Sequence, residues 1–225
     1  DAVRVKGNIY GVPSQQIFPK QNYVVIVKEY ADKYGLDVSK VEKLSDLEEF
    51  FKAVKADNPD MYPFAASSNG LMGKHNVALG YESIVSVNIP GAVKIGDDGL
   101  KVYNQFESEE VKGLYEMMYR WAQEGLVRRD AVTVADNAVP DMKAGKHIAA
   151  INATYKPGVE TLESGNFGGK EVVFATLSEP YLATENLVSS LNAVSQTSKH
   201  PELAVQFLNL VNTDKDRSEE HTSEL

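Results

Sequence analysis

The run Tyr23–Val27 reads YVVIV, and it leads through Lys28 into Glu29–Tyr34, which Gly35 closes. Uninterrupted β-branched, apolar character over the length of a strand is what a strand covered on both faces requires. Glu29–Tyr34 reads as a helix, because a glycine just past the last residue supplies the left-handed backbone on which helices commonly end. A buried strand feeding directly into a helix is the mark of α/β architecture.

Upstream, Lys6-Gly7-Asn8 is a turn signal, and Ile9–Pro13 (IYGVP) is a short strand that ends near Val12, since proline cannot donate to a ladder. Downstream, Ser45 with Glu48 three residues on predicts a capping box. Leu47, Phe50, Phe51 and Val54 then form an apolar face until Asn58-Pro59 breaks it, and Tyr62–Ala66 is the next candidate strand. Asp97-Asp98-Gly99 between Ala92–Ile95 and Leu100–Asn104 has the chemistry of a hairpin turn. Ser108 caps a long helix whose stripe of Val111, Leu114, Tyr115, Met118, Trp121 and Ala122 runs to Gly125, so Trp121 is read as packing. A short helix at Val139–Ala144 ends at Gly145 and is followed by a strand, His147–Ile151 (HIAAI). Tyr155-Lys156-Pro157-Gly158 is a loop into another helix. Glu171–Thr176 and Ser189–Val194 read as strands, and Ser198 with Pro201 opens a final amphipathic helix carrying Leu203, Ala204, Phe207, Leu208 and Val211.

Composition narrows the function classes. The chain has 225 residues, 43% hydrophobic and 24% charged, enough apolar content for one large domain or two small ones. A net charge of −9 repels phosphate backbones, so nucleic acid is not an expected partner. The absence of cysteine removes disulfides, cysteine–zinc sites and thiol catalysis, while leaving the compartment open. No apolar run approaches the roughly 18 residues of a membrane span. Asp1–Ile9 has neither an initiator Met nor a basic-then-apolar leader, so a processed or truncated start is expected. The polar, patternless Arg217–Leu225 (RSEEHTSEL) resembles the in-frame translation of a sequencing adapter; without those nine residues the net charge is −7.

Catalytic signals are sparse. His75, His147 and His200 have no i,i+4 partner for a helical metal pair, and no cofactor is implied. Gly165–Lys170 (GNFGGK) is one residue short of a phosphate loop and has Glu171 where a Ser or Thr is needed. No serine sits in a G-x-S-x-G elbow, and Glu48-Glu49 and Glu109-Glu110 are explained by helix first turns. What remains is polar and aromatic residues after strands: Ser14, Gln15, Gln16 and Phe18; Asn152, Tyr155 and Lys156; Glu179 and Tyr181. Ligands of open α/β sheets bind outside the carboxyl ends of strands. Aromatic faces mixed with amides and carboxylates suit a sugar, which offers a C–H face for stacking and hydroxyls for hydrogen bonds.

In their order, Gly7–Pro13 (GNIYGVP), Lys28–Gly35 with the Ser45 helix, Gly145–Tyr155 (GKHIAAINATY) and Ser195–Val211 (SQTSKHPELAVQFLNLV) with Asn212-Thr213-Asp214 resemble the extracellular solute-binding proteins of family 1. These are the carbohydrate receptors of bacterial ABC importers, and the likeness is to their lipoprotein branch in Gram-positive bacteria. The resemblance covers nearly all of Asp1–Asp216 and implies a periplasmic-binding-protein-like two-lobed α/β fold of type II, here incomplete, with one lobe largely missing. It places residues 1–17 as the end of the first lobe and first crossing, 18–170 as the second lobe, 171–186 as the return crossing, 187–216 as a strand and helix of the first lobe, and 217–225 as an artefactual tail. It implies a monomeric receptor on the outer face of the cell membrane, anchored through a lipid on a missing N-terminus, handing a carbohydrate to permease subunits. Tyr155 stands where relatives place an aromatic that stacks on sugar, often Trp. Two other readings stay open: an enzyme acting on polysaccharide with Glu179 as a buried acid, and a peptide receptor of the same fold.

Overall fold

In the computed structural model, residues 3–14, 19–66, 78–84, 89–97, 101–131, 133, 138–182 and 190–214 are described. In chain order the elements are β1 (Arg4–Val5), β2 (Asn8–Ile9), β3 (Val12–Pro13), β4 (Tyr23–Val27), α1 (Lys28–Lys33), α2 (Glu48–Asp57), β5 (Phe64–Ala65), β6 (Tyr81–Ser83), β7 (Gly91–Lys94) and β8 (Tyr103–Asn104). They continue with α3 (Glu109–Glu124), α4 (Val139–Lys143), β9 (Ala149–Asn152), α5 (Val159–Asn166), β10 (Val172–Thr176), β11 (Leu191–Asn192) and α6 (Pro201–Thr213). The chain divides into two units, Lys20–Tyr181 and the remainder.

Lys20–Tyr181 is built on a four-stranded sheet of order β10-β4-β9-β5, with β4 antiparallel to both neighbours and β5 parallel to β9. All five residues of β4 are buried, as the unbroken YVVIV run requires. The core adds Leu44, Leu47, Phe51 and Val54, and the stripe Val111, Leu114, Met118 and Trp121 of α3. Trp121 is fully buried and meets Phe51 and Phe64 edge-on, with ring centroids 5.4 and 5.8 Å apart. Ser108 accepts a hydrogen bond from the Val111 N–H at 3.2 Å, and Gly125 ends α3 at φ 74°. Tyr115, expected in the stripe, is 48% exposed.

β7 pairs antiparallel with β8, and β6 adds a third strand on the other side of β7; Asp98 and Gly99 of the expected hairpin turn lie outside the described residues. The Ser45–Glu48 capping box is not formed. A 3-10 turn, Leu44–Leu47, precedes α2, and the Asp46 carboxylate instead accepts from the N–H groups of Glu42 and Lys43, both at 3.0 Å. Glu48 is drawn away because its carboxylate accepts from Arg120, Lys52 and the Trp121 indole.

The larger unit runs to Tyr181. Val172–Thr176 pairs with Val27–Tyr23 along its whole length, so this part of the expected return crossing is a strand of the main sheet. In the other unit, β1 and β2 form a hairpin about the turn expected at Lys6-Gly7, and β3 pairs antiparallel with β11, which is shorter than Ser189–Val194. Helix α6 starts on Pro201 without a side-chain cap; Ser198 accepts from the His200 N–H before it. None of its residues is buried, and Leu203 and Phe207 are 61% and 60% exposed. Among the described residues no helix is long and apolar enough to cross a membrane, and no group of three His, Cys, Asp or Glu is placed to hold a metal.

Candidate functional site

Because β4 is antiparallel to β9 and β10, the carboxyl ends of β9 and β10 emerge at one end of the sheet, beside the start of β4. Tyr23 is the partner of both Asn152 and Thr176. Pairing continues past the strands: Lys20 and Tyr181 exchange backbone hydrogen bonds of 2.9 and 2.8 Å, and the Tyr155 N–H donates to Gln21 O at 3.2 Å. The Gln21 amide also donates to Ser178 O at 2.8 Å, and the Asn22 N–H to Ser178 Oγ at 3.0 Å. Two of the three predicted clusters, Asn152/Tyr155/Lys156 and Glu179/Tyr181, therefore flank the same segment, Lys20–Asn22.

Tyr155 is half-buried. Its ring rests against Tyr23, centroids 5.6 Å apart at 65°, and Phe174, 5.4 Å apart at 59°; Tyr23 and Phe174 themselves meet edge-on at 5.4 Å. Three mutually supporting aromatics hold one ring at the surface in a defined orientation. Beneath it lies a polar knot. The Tyr23 hydroxyl donates to Glu163 Oε1 at 2.5 Å, the Asn152 amide donates to the same oxygen at 2.8 Å, and the Asn166 amide donates to Oε2 at 3.1 Å. Burial, and next the Glu163 carboxylate, push the Tyr23 hydroxyl above the usual phenol range.

Asn152 is thus engaged inwardly: its amide donates to Glu163 and its carbonyl accepts from the Ala153 N–H at 2.9 Å. Lys156 and Glu179 are exposed, and Tyr181 is half-buried. The exposure of Glu179 corrects the idea of a buried acid at that position. Ser14 belongs to the other unit, where its N–H donates to Ser190 O at 3.1 Å; Gln15, Gln16 and Phe18 lie outside the described residues, as do His75 and Arg217–Leu225. Glu163 and Gln21 went unread in the sequence, and Tyr23 was read only as strand. The available signal was Val159, Glu163 and Phe167 at i, i+4 and i+8, a carboxylate in an otherwise apolar helical row.

A cavity of about 650 Å³ lies at the opposite end of β9, lined by Lys55, Tyr62, Arg128 and Lys146 among others. Its cations are already engaged: Arg128 with Asp130 and Asp141, Lys146 with Asp141, Lys55 with the carbonyls of Pro59 and Met61, and Arg129, which donates to Ala122 O at 3.4 Å. It holds none of the predicted site residues. His147, 2% exposed nearby, bonds through Nδ1 to Tyr62 O at 2.7 Å, and burial holds its imidazole below the usual histidine range.

No protein-family model matches the chain. A carbohydrate ABC transporter substrate-binding protein of Streptococcus pneumoniae serotype 4 (strain ATCC BAA-334 / TIGR4) is 23% identical over 218 residues, which is 93% of this chain and 41% of that protein. The crystal structure of the N-glycan transport solute binding protein NgtS from S. pneumoniae superposes with a TM-score of 0.81 at 21% identity, over 96% of this chain and 46% of that one. Maltose-bound T. maritima MalE3 superposes at 0.61 with 18% identity, over 96% and 53%. The chain therefore has the fold of these solute-binding proteins and spans about half their length.

Proposed function

We propose that this chain is part of the substrate-binding protein of an ABC importer and that the whole protein captures an oligosaccharide or sugar derivative without chemically altering it. The supporting observation is the Tyr155 platform: a half-buried ring, braced by Tyr23 and Phe174, at the sheet end where the segments after β9 and β10 both pair with Lys20–Asn22. In this reading Tyr155 stacks on the C–H face of a pyranose and Tyr181 and Phe18 offer further aromatic surface. Ser14, Gln15, Gln16, Lys156 and Glu179 bind hydroxyls, while Asn152 shapes the turn that carries Tyr155. In the same reading, ligand contacts drive closure of the whole protein about the segments that join its lobes.

The exposed apolar residues of α6 are, in the same reading, a surface that further chain of the whole protein covers. The closed protein is a monomer that presents its sugar to the permease from the outer face of the membrane, held there by a lipid anchor. NgtS was solved with Man1GlcNAc and Man5GlcNAc, so mannose–N-acetylglucosamine glycans head the test panel. Tyr155→Ala in the whole protein is expected to weaken binding of the glycan it recognises roughly tenfold or more, equivalent to at least about 1.4 kcal/mol. Unchanged affinity would remove Tyr155 from the site.

A further inference from the structure

Glu163 is 2% exposed, and its hydrogen-bond donors, Tyr23, Asn152 and Asn166, are all neutral side chains. A carboxylate buried without a cation is a costly choice at a position that Val159 and Phe167, 4% and 1% exposed in the same helical row, mark as apolar. Packing would be served as well by leucine. What leucine cannot do is accept three hydrogen bonds, since only an acceptor-only group with several lone pairs can gather three donors.

The destinations of those bonds are specific. Tyr23 is one of the two rings supporting Tyr155, and its hydroxyl is tied to Glu163. Asn152 begins the turn that carries Tyr155, and its amide is tied to the same oxygen. Asn166 closes the far side from the carboxylate's own helix, α5. One residue thus fixes both the ring beneath Tyr155 and the backbone that leads to it. We infer that Glu163 is a positioning residue for the Tyr155 platform, setting the orientation of that ring while not itself touching ligand. The inference rests on the proposed role of Tyr155 for its functional meaning, though its geometry can be tested without a sugar.

The test compares Glu163→Gln, Glu163→Leu and Tyr23→Phe by hydrogen exchange on the chain, reading the amides of 152–156 against those of α2 as internal reference. Glutamine keeps the oxygen that Tyr23 and Asn152 use, and Asn166 satisfies the new amide by turning its own over, so exchange at Tyr155 should stay within about twofold of the original. Glu163→Leu should speed exchange at Tyr155 roughly tenfold or more, the worth of one hydrogen bond to a charged group, with α2 unchanged. Tyr23→Phe removes one link only and should give a smaller increase, which serves as the deciding variant if Glu163→Leu does not fold. Unaltered exchange at Tyr155 in a folded Glu163→Leu chain, or in Tyr23→Phe where that chain must decide, would overturn the inference, and so would an equal rise in α2. In the whole protein, Glu163→Leu should weaken glycan binding as Tyr155→Ala does, while Glu163→Gln should not. Normal glycan binding by Tyr155→Ala would count against the proposed site, whereas unaltered exchange would count against the positioning role.

Discussion

Replacing Glu48 with alanine tests how the main unit is locked together. Its carboxylate accepts from Arg120 Nη2 at 2.5 Å and the Trp121 indole N–H at 3.0 Å, and pairs with Lys52 at 2.8 Å, linking α2 to α3. Trp121 is fully buried, so truncation leaves its N–H without an acceptor, at about 1–3 kcal/mol. Arg120 and Lys52 are 50% and 39% exposed, so each adds only about 0–1 kcal/mol. The sum is about 1–5 kcal/mol, with about 3 kcal/mol at its centre. The same contacts act through linkage: hydrogen bonds from Arg120, Lys52 and Trp121 pull the Glu48 carboxyl from 4.5 down to about 2. At about 1.4 kcal/mol per unit this corresponds to roughly 3 kcal/mol. A depressed folded-state value means the stabilisation is fully present above pH 4.5 and is lost as pH falls toward 2. Urea unfolding of both proteins at pH 7, 4 and 3 should show Glu48→Ala less stable by about 3 kcal/mol at pH 7, with the gap narrowing at the lower two. A difference below about 0.5 kcal/mol at pH 7, or one that stays constant down to pH 3, would refute the reasoning.

Other outcomes follow from the same structure. His147, whose imidazole burial lowers from 6.5, favours the neutral form in the folded state, so stability should fall as pH drops below about 6.5, and His147→Gln should flatten urea midpoints measured between pH 7.5 and 5. Gly125→Ala would place a Cβ at φ 74°, 3.0 Å from Lys55 Cε, and should lower the unfolding free energy by about 1–2 kcal/mol in urea melts; a neutral result would show that the helix end can rearrange.

Local signals were the legible ones. YVVIV identified β4 because a strand covered on both faces has no polar alternation to hide its length, and Ser108 and Gly125 bounded α3 because caps are chemically specific. The strand directions were not legible: β4 pairs with β9 and β10, both far along the chain, and nothing in Tyr23–Val27 encodes which way its partners run. That direction is what brings the Tyr155 and Tyr181 segments to one end. Ser45 misled because the chain enters α2 through a 3-10 turn whose start Asp46 holds by accepting from Glu42 and Lys43, and Glu48 was worth more beside Trp121 than in a capping box. Glu163 left only the trace of a carboxylate in the apolar row of Val159 and Phe167, since a carboxylate on a helix is by default solvated and only the tertiary pairing of Tyr23 with Asn152 makes it a buried acceptor. Of the candidate site, the turn after β9 and its tyrosine could be read from sequence; the knot supporting them could not.

The most direct measurement is calorimetric titration of the whole protein containing this chain with a panel of neutral oligosaccharides headed by mannose–N-acetylglucosamine glycans, followed by analysis of the recovered sugar. Saturable one-to-one binding of at least one glycan, weakened by Tyr155→Ala and with the sugar recovered intact, is the predicted result. Absence of binding across the panel, or recovery of a cleaved glycan, would contradict it.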